Sequence, residues 1–475
     1  MRILFVASEC APFSASGGLG DVIGSLPQVI KSTDQDVNIE VILPLYKSTK
    51  EKFKDELRYL KDIQFKLSWR NTGAKIHSIS KDGIDYYFVE NDYYFDRESL
   101  YGEFDDGERF AFFSTSVLEF LLSSEITPDI VHANDWQSAL CVIYLKTKYQ
   151  NSNKLSNIKT LYTIHNIEYQ GKYDLSILED VFALDRRFEN IVEYKGEINL
   201  TKGAIVSADQ VSTVSPTYAH ELRHDYFAFG LADIISIASN KTCGIINGID
   251  YSYFSPELGG DIYSPYTKRT FKSGKAKNKS ALQKELKLNE NPKTPLIIMI
   301  TRLVEGKGID LILHVIDELL HENIQFALLG TGERRYEEAF LSIEQKHDNF
   351  KALIKFDRIL SKQMYAGADI LLMPSKLEPC GLSQMIACSY GTIPIVRSVG
   401  GLVDSIIPYG LDGANGFRFD NYNAHDLLFT IKSALNLYSS TKEWEKLIKS
   451  AINTDFSWNR SAEKYIALYN NLVMK

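Results

Sequence analysis

Apolar residues fall into short runs in both halves of the chain, and most runs lead into a stretch with helical spacing. Ile3–Ala7 enters the glycine turn Gly17-Gly18-Leu19-Gly20, and Asp21–Ile30 is amphipathic. Ile39–Pro44, Tyr86–Val89, Ile130–His132, Lys159–Ile164 and Gln210–Val214 are further strand candidates. Several lack clean alternation, as expected of parallel strands buried on both faces. The second half restarts the theme with the strand Leu296–Thr301, the turn Arg302–Gly308 and the helical stretch Ile309–Glu322. Phe326–Leu329 then runs into Gly330-Thr331-Gly332, and Ile370–Pro374 and Ile393–Val396 are two more short runs.

Strands alternating with helices build parallel sheets. The pattern predicts an α/β protein of two Rossmann-like domains, residues 1–250 and 251–455, facing each other across a cleft. Residues 456–475 read as a closing helix with Trp458, Tyr465 and Tyr469 at near-helical spacing, expected to fold back on the first domain. Between the halves, Ser255–Lys287 reads as a connection leading into a surface helix, and its basic stretch Lys268–Lys287 as a solvated lysine face. Ligands of such sheets sit beyond the carboxyl ends of the strands, so function is sought in the loops after strands.

Composition narrows the classes. With 44% hydrophobic and 24% charged residues the chain has the balance of a soluble globular protein. Cys10, Cys141, Cys243, Cys380 and Cys388 are odd in number and lack CxxC spacing, which argues against a disulfide framework or zinc cluster and fits a reducing cytoplasm. No apolar run approaches the ~20 residues of a membrane span, and Met1 leaves no room for a signal peptide before Ile3. A net charge of −8 offers no broad basic surface for nucleic acid.

Two motifs point elsewhere and fail on inspection. A dinucleotide site wants an acidic residue at the end of the second strand, about 20 residues after the glycines; Glu40 has the count but begins its strand. His220-Glu221-Leu222-Arg223-His224 spells HExxH, yet the extended zinc motif's glycine and histidine positions hold Phe227 and Gly230. No Glu occurs between Glu221 and Glu257 to serve as third ligand, so a solvated helix face is the preferred reading and no metal is assigned.

The second half carries the specific constellation. Arg302 and Lys307 sit in the turn after one strand, suited to a departing diphosphate whose growing charge must be neutralised. Pro374-Ser375-Lys376-Leu377-Glu378-Pro379-Cys380-Gly381-Leu382-Ser383 takes a strand end past a carboxylate and a Pro/Gly turn into a helix start, where free N–H groups face an anion. Glu378 makes sense there if it meets sugar hydroxyls and the positive charge of an oxocarbenium-like state.

With these residues in view the chain resembles the bacterial glycogen (starch) synthase family along essentially its whole length. The matching segments are Ser16–Val22, Val131–Trp136, Thr163–Gly171, Thr213–Tyr218, Gly244–Asp250, Thr301–Leu303 with Lys307-Gly308, and the Glu378 turn. The resemblance implies the GT-B fold and transfer of glucose, with retention, from ADP-glucose to the non-reducing end of an α-1,4-glucan such as glycogen, without metal or cofactor. It implies an acceptor side in the first domain and a nucleotide-sugar side in the second. It assigns Arg302 and Lys307 to the diphosphate, Glu378 to the reacting sugar, and the backbone around Gly381, Leu382 and Ser383 to phosphate or sugar hydroxyls. His165 lines the donor-glucose pocket with Asp135 and Asn247 nearby, Phe356 stacks on the base, and Gly17 and Gly18 approach the diphosphate. Asp21, Asn166, Gln170, Cys380 and the acceptor candidate Tyr101 complete the substrate-binding set, although the Cys380 side chain, like Trp136, reads as packing.

Two departures bear on chemistry. Ala15 stands where the family usually carries a lysine, so a cation near the donor phosphates is missing. Ile386 stands where related retaining transferases often place a second glutamate, which favours a front-face substitution over a double displacement. A retaining transferase of the same fold with another donor or acceptor, and a catalytically weak glucan-binding protein, are the alternatives. The second is opposed by the intact Arg302, Lys307, Glu378 and His165.

Overall fold

A computed structural model describes residues 1–474, which form two units: Met1–Asn247 together with the segment from Trp458 onward, and Gly248–Ser457. Lys475, the last residue of the expected closing helix, lies outside the described residues.

The first unit is built on β1 (Arg2–Val6), β2 (Asn38–Pro44), β3 (Arg58–Leu67), β4 (Arg70–Lys81), β5 (Ile84–Glu90), β6 (Ile130–Asn134) and β7 (Lys159–Ile164). A small antiparallel sheet of β8 (Lys172–Asp174), β9 (Glu193–Tyr194) and β10 (Glu197–Asn199) follows, and β11 (Gln210–Thr213) and β12 (Thr242–Gly244) return to the main sheet. The nine-stranded order is β12-β11-β7-β6-β1-β2-β5-β4-β3, parallel except where β3 and β4 extend the edge antiparallel. The hairpin β3–β4 is absent from the sequence reading. Its strands are half exposed and lysine-bearing, the pattern of a protected sheet edge rather than of a buried apolar run.

Helix Gly18–Thr33 starts at the glycine turn and buries Leu19, Val22, Ile23, Leu26 and Ile30, a spacing that keeps one face on the sheet. Helix Asn459–Met474 packs against it within the same unit, with Trp458, Tyr465 and Tyr469 buried in the shared core. The Tyr469 hydroxyl lies 2.8 Å from Nδ1 of His132, which is itself buried on β6.

The second unit is a six-stranded parallel sheet of β13 (Leu296–Ile300), β14 (Gln325–Leu329), β15 (Phe350–Leu353), β16 (Ile370–Met373), β17 (Ile393–Arg397) and β18 (Phe417–Phe419). Its order β15-β14-β13-β16-β17-β18 means that the chain moves outward from β13, then returns to β16 on the other side. That reversal opens a crevice at the carboxyl ends of β13 and β16. In the first unit the same reversal falls between β1 and β6.

The basic stretch corrects an expectation. Helix Phe271–Glu285 buries Lys275 and Lys279 instead of solvating them. Lys275 Nζ donates to Thr392 Oγ1 at 2.9 Å and to the Tyr390 and Ala366 carbonyls, while Lys279 pairs with Asp369 at 2.6 Å. Burial holds the Lys275 ammonium down to about 7. The exposed lysines of that helix, among them Lys272, Lys277 and Lys284, occupy its other face.

Candidate active site

At the crevice of the second unit the turn after β13 meets the loop after β16. Gly308 has φ +70°, and a Cβ there would lie 2.0 Å from the Pro374 carbonyl oxygen, so only glycine lets the two loops approach this closely. The Lys376 N–H donates to the Gly306 carbonyl at 2.9 Å and locks them together. Glu378 is thereby held with 7% exposure beside a cavity of about 190 Å³ lined by Arg302, Lys307, Ser375, Glu378, Gly381, Leu382 and Ser383, with strand-end residues as its floor.

One carboxylate oxygen of Glu378 takes both donors nearby. Lys307 Nζ lies 2.7 Å and Ser375 Oγ 2.9 Å from Oε2. Arg302 is exposed and makes no ion pair among the described residues. The cavity therefore holds one paired cation, one unspent cation and a carboxylate, an arrangement able to receive an anion while keeping a negative group beside it. Phe356 is 79% exposed between β15 and helix Arg358–Gly367, with the Arg358 guanidinium 5.8 Å from its ring centre. Its ring is available for stacking, but it does not line the Glu378 cavity. Cys380 is buried beneath the turn.

The first unit gathers a second set. Asp135, directly after β6, has φ +57°, and its Oδ1 accepts from the His165 N–H at 2.7 Å and, less closely, from the Asn166 N–H at 3.5 Å. Burial drives the Asp135 carboxyl up to about 7 despite these N–H donors, and the nearby Glu9 charge adds to the rise. His165 follows β7, and its Nε2 lies 2.9 Å from Asn134 Oδ1. Burial alone pulls its imidazole down to about 3, so the ring is neutral at physiological pH.

The glycine loop is organised by a residue that the sequence reading passed over. Glu9 is 4% exposed and accepts from Ser16 N–H at 2.5 Å, Ser16 Oγ at 2.8 Å, Gly17 N–H at 3.2 Å and Tyr101 hydroxyl at 2.7 Å. Tyr101 also contacts Ser8 Oγ at 2.7 Å, and burial pushes its phenol well above the usual range. The Gly17 N–H is thus engaged by a carboxylate, while the space over Cα of Gly17 and Gly18 is open. Asp21 is half-buried in the first turn of helix Gly18–Thr33. Gln170 spends its amide on loop structure, donating to the Ile167 and Phe229 carbonyls and accepting from Asn199. Asn247 is buried with no partner for its Oδ1 among the described residues, and Asn166 Oδ1 accepts from the Glu168 N–H.

Residues 2–237 match the family model described as starch synthase catalytic domain, and residues 282–454 match that described as glycosyl transferases group 1. The glycogen synthase of Alkaliphilus metalliredigens strain QYMF is 44% identical over 477 residues, covering 99% of this chain and 100% of the relative. The chain belongs to the glycogen and starch synthase family.

Glycogen synthase of Clostridium novyi strain NT is 42% identical over 481 residues with both chains fully covered. Among solved structures, the catalytic domain of starch synthase IV from Arabidopsis thaliana, bound to ADP and acarbose, superposes with a TM-score of 0.91 at 34% identity, covering 100% of this chain and 99% of that one. A sucrose-phosphate synthase from Thermosynechococcus elongatus, 16% identical with a TM-score of 0.63, shares the fold. This family member is a glycosyltransferase with the two parallel-sheet domains of the GT-B fold.

Within each unit the residues singled out from sequence divide clearly. Arg302, Lys307, Glu378, Gly381, Leu382 and Ser383 meet at one cavity, and Asp135, His165 and Asn166 share one hydrogen-bonded cluster. Glu9, Asn134 and Ser375 are the additions from structure. Glu9 has one signal in the sequence, a carboxylate standing between an apolar strand and a glycine turn, whereas Asn134 and Ser375 carry none beyond their place in the segments Val131–Trp136 and Pro374–Ser383. His220 and His224 are exposed with ring centres 5.3 Å apart, and among the described residues no group of three or more His, Cys, Asp or Glu side chains is placed to hold a metal ion. Glu40 lies near the start of β2 and pairs with Arg2. Among the described residues no helix is long and apolar enough to cross a membrane.

Proposed function

We propose that this family member transfers glucose from ADP-glucose to the non-reducing end of an α-1,4-glucan, glycogen, with retention of configuration, in the cytoplasm. The observation that carries the reading is the cavity in which Glu378 sits against Lys307 while Arg302 makes no ion pair among the described residues. The second unit is the nucleotide-sugar side. Lys307 and Arg302 take the diphosphate and its growing charge as the bond from sugar C1 to phosphate oxygen breaks. The acceptor hydroxyl forms its bond to C1 on the same face and gives its proton to the departing phosphate. Glu378 faces the positive charge that appears on the sugar between those events. Phe356 offers an open aromatic face to the base, and a purine fills it better than a pyrimidine. Relatives of 42–44% identity named glycogen synthase, and a structural neighbour bound to ADP and acarbose, support donor and acceptor alike.

The test offers radiolabelled ADP-glucose and UDP-glucose separately with glycogen, each with and without excess EDTA. Label should pass into glycogen from ADP-glucose with the larger kcat/KM and persist in EDTA, because side-chain cations neutralise the leaving group. A larger kcat/KM for UDP-glucose overturns the donor assignment. Loss of transfer in EDTA, restored by a divalent ion, overturns the metal-free chemistry.

A further inference from the structure

Asn134 ends β6 with 1% exposure, and every polar atom of its side chain is committed. Nδ2 faces two backbone carbonyls, those of Val6 at 3.3 Å and His132 at 3.0 Å. A carbonyl can only accept, so the atom facing both must be the amide NH₂, and the other atom is the amide oxygen. That oxygen lies 2.9 Å from Nε2 of His165. An amide oxygen also only accepts, so the proton of the His165 ring sits on Nε2. The ring is half-buried and neutral and carries a single proton, which leaves Nδ1 as a bare lone pair. No group among the described residues bonds Nδ1, and the His165 backbone is pinned separately through its N–H on Asp135.

We propose that Asn134 is a positioning residue that sets His165 as the Nε2–H tautomer and presents its Nδ1 to accept a hydrogen bond from a sugar hydroxyl. The chain of obligate acceptors, from two sheet carbonyls through one amide to one imidazole, writes the backbone geometry of β1 and β6 into the polarity of a ring at the end of β7. His165 then acts as a neutral acceptor and not as a proton donor, which separates its role from that of Glu378 and the two cations. The assignment of the hydroxyl to a sugar rests on the glucosyl-transfer reading above, whereas the tautomer does not.

The tautomer is read directly by long-range proton–nitrogen NMR on ligand-free protein labelled at histidine, with the His165 signal assigned by its loss in His165→Gln. Between about pH 5 and 8 the wild-type ring should report a protonated Nε2 and a bare Nδ1. Asn134→Ala should give a mixed tautomer population and lower kcat/KM for transfer by about tenfold, the scale of one lost hydrogen bond, with ADP affinity unchanged. A protonated Nδ1 in the wild-type protein overturns the proposal without any variant. So does an Asn134→Ala protein that folds, changes tautomer and keeps full kcat/KM. Should wild type transfer no glucose at all, the functional reading fails, and the NMR result still decides the tautomer.

Discussion

Lys307→Ala tests the leaving-group site. Lys307 Nζ lies 2.7 Å from the Glu378 carboxylate, which is 7% exposed, and the lysine side chain itself is 22% exposed. Breaking a fully buried ion pair by deleting one partner costs about 3–5 kcal/mol. Here the pair borders a cavity, so water and the Ser375 hydroxyl, 2.9 Å from the same oxygen, recover part of that loss. A fall in stability of about 2–3 kcal/mol follows. The kinetic effect is of a different kind. A diphosphate is charged both before and during transfer, so binding it equally well in both states lowers KM alone. The charge that appears on the bridging oxygen as the sugar departs is felt only in the transition state, and losing a donor aimed at it costs about 10²–10³ in turnover. Initial rates of label transfer from ADP-glucose to glycogen, ADP affinity by calorimetry and a denaturant melt separate the three effects. Lys307→Ala should lose about 10²–10³ in kcat with a smaller change in ADP affinity, and Lys307→Arg should recover a large part of it. If folded Lys307→Ala protein keeps its turnover within about threefold of wild type, the diphosphate is neutralised elsewhere and the reasoning fails.

Three further perturbations probe other parts of the molecule. Glu378→Gln keeps size and hydrogen-bonding atoms but removes charge, so turnover should fall at least about tenfold, some ~1.4 kcal/mol, while ADP still binds; weakened ADP binding with intact kcat would reassign Glu378 to ground-state recognition. Tyr469→Phe strips buried His132 of a partner at 2.8 Å and should cost about 1–3 kcal/mol in a denaturant melt; an unchanged midpoint would mean that the closing helix is held by packing alone. His165 takes a proton near pH 6.5 when unfolded but only near pH 3 when folded. The unfolded state therefore binds more protons in that interval, and stability is lost as pH falls from about 6.5, by up to ~1.4 kcal/mol per pH unit relative to His165→Gln. Parallel pH–stability curves for the two proteins would contradict the burial argument.

Most strands of the two main sheets could be read from the chain because they are buried and leave a local apolar signature, whereas the short, partly exposed β12, β15 and β18 leave none. Ile3–Val6, Ile130–His132 and Leu296–Ile300 are apolar runs whatever surrounds them. Glycine turns and the Glu378 loop were equally legible, since a strand end, a carboxylate and a helix start lie adjacent in sequence. What the sequence left undetermined depends on residues far apart along the chain. Lys275 and Lys279 look like their solvated neighbours until the helix docks and turns one face onto the Tyr390 carbonyl and Asp369. Glu9 is one acidic residue among many until the loop folds back and gives it the Gly17 N–H and the distant Tyr101 hydroxyl. Asn134 acquires meaning only when β1, β6 and β7 lie side by side, because Val6 supplies an acceptor that fixes its amide and His165 receives the consequence. Periodicity encodes which face of an element is buried; hydrogen bonding and charge pairing require specific atoms within about 3 Å, and only the folded chain brings those atoms together.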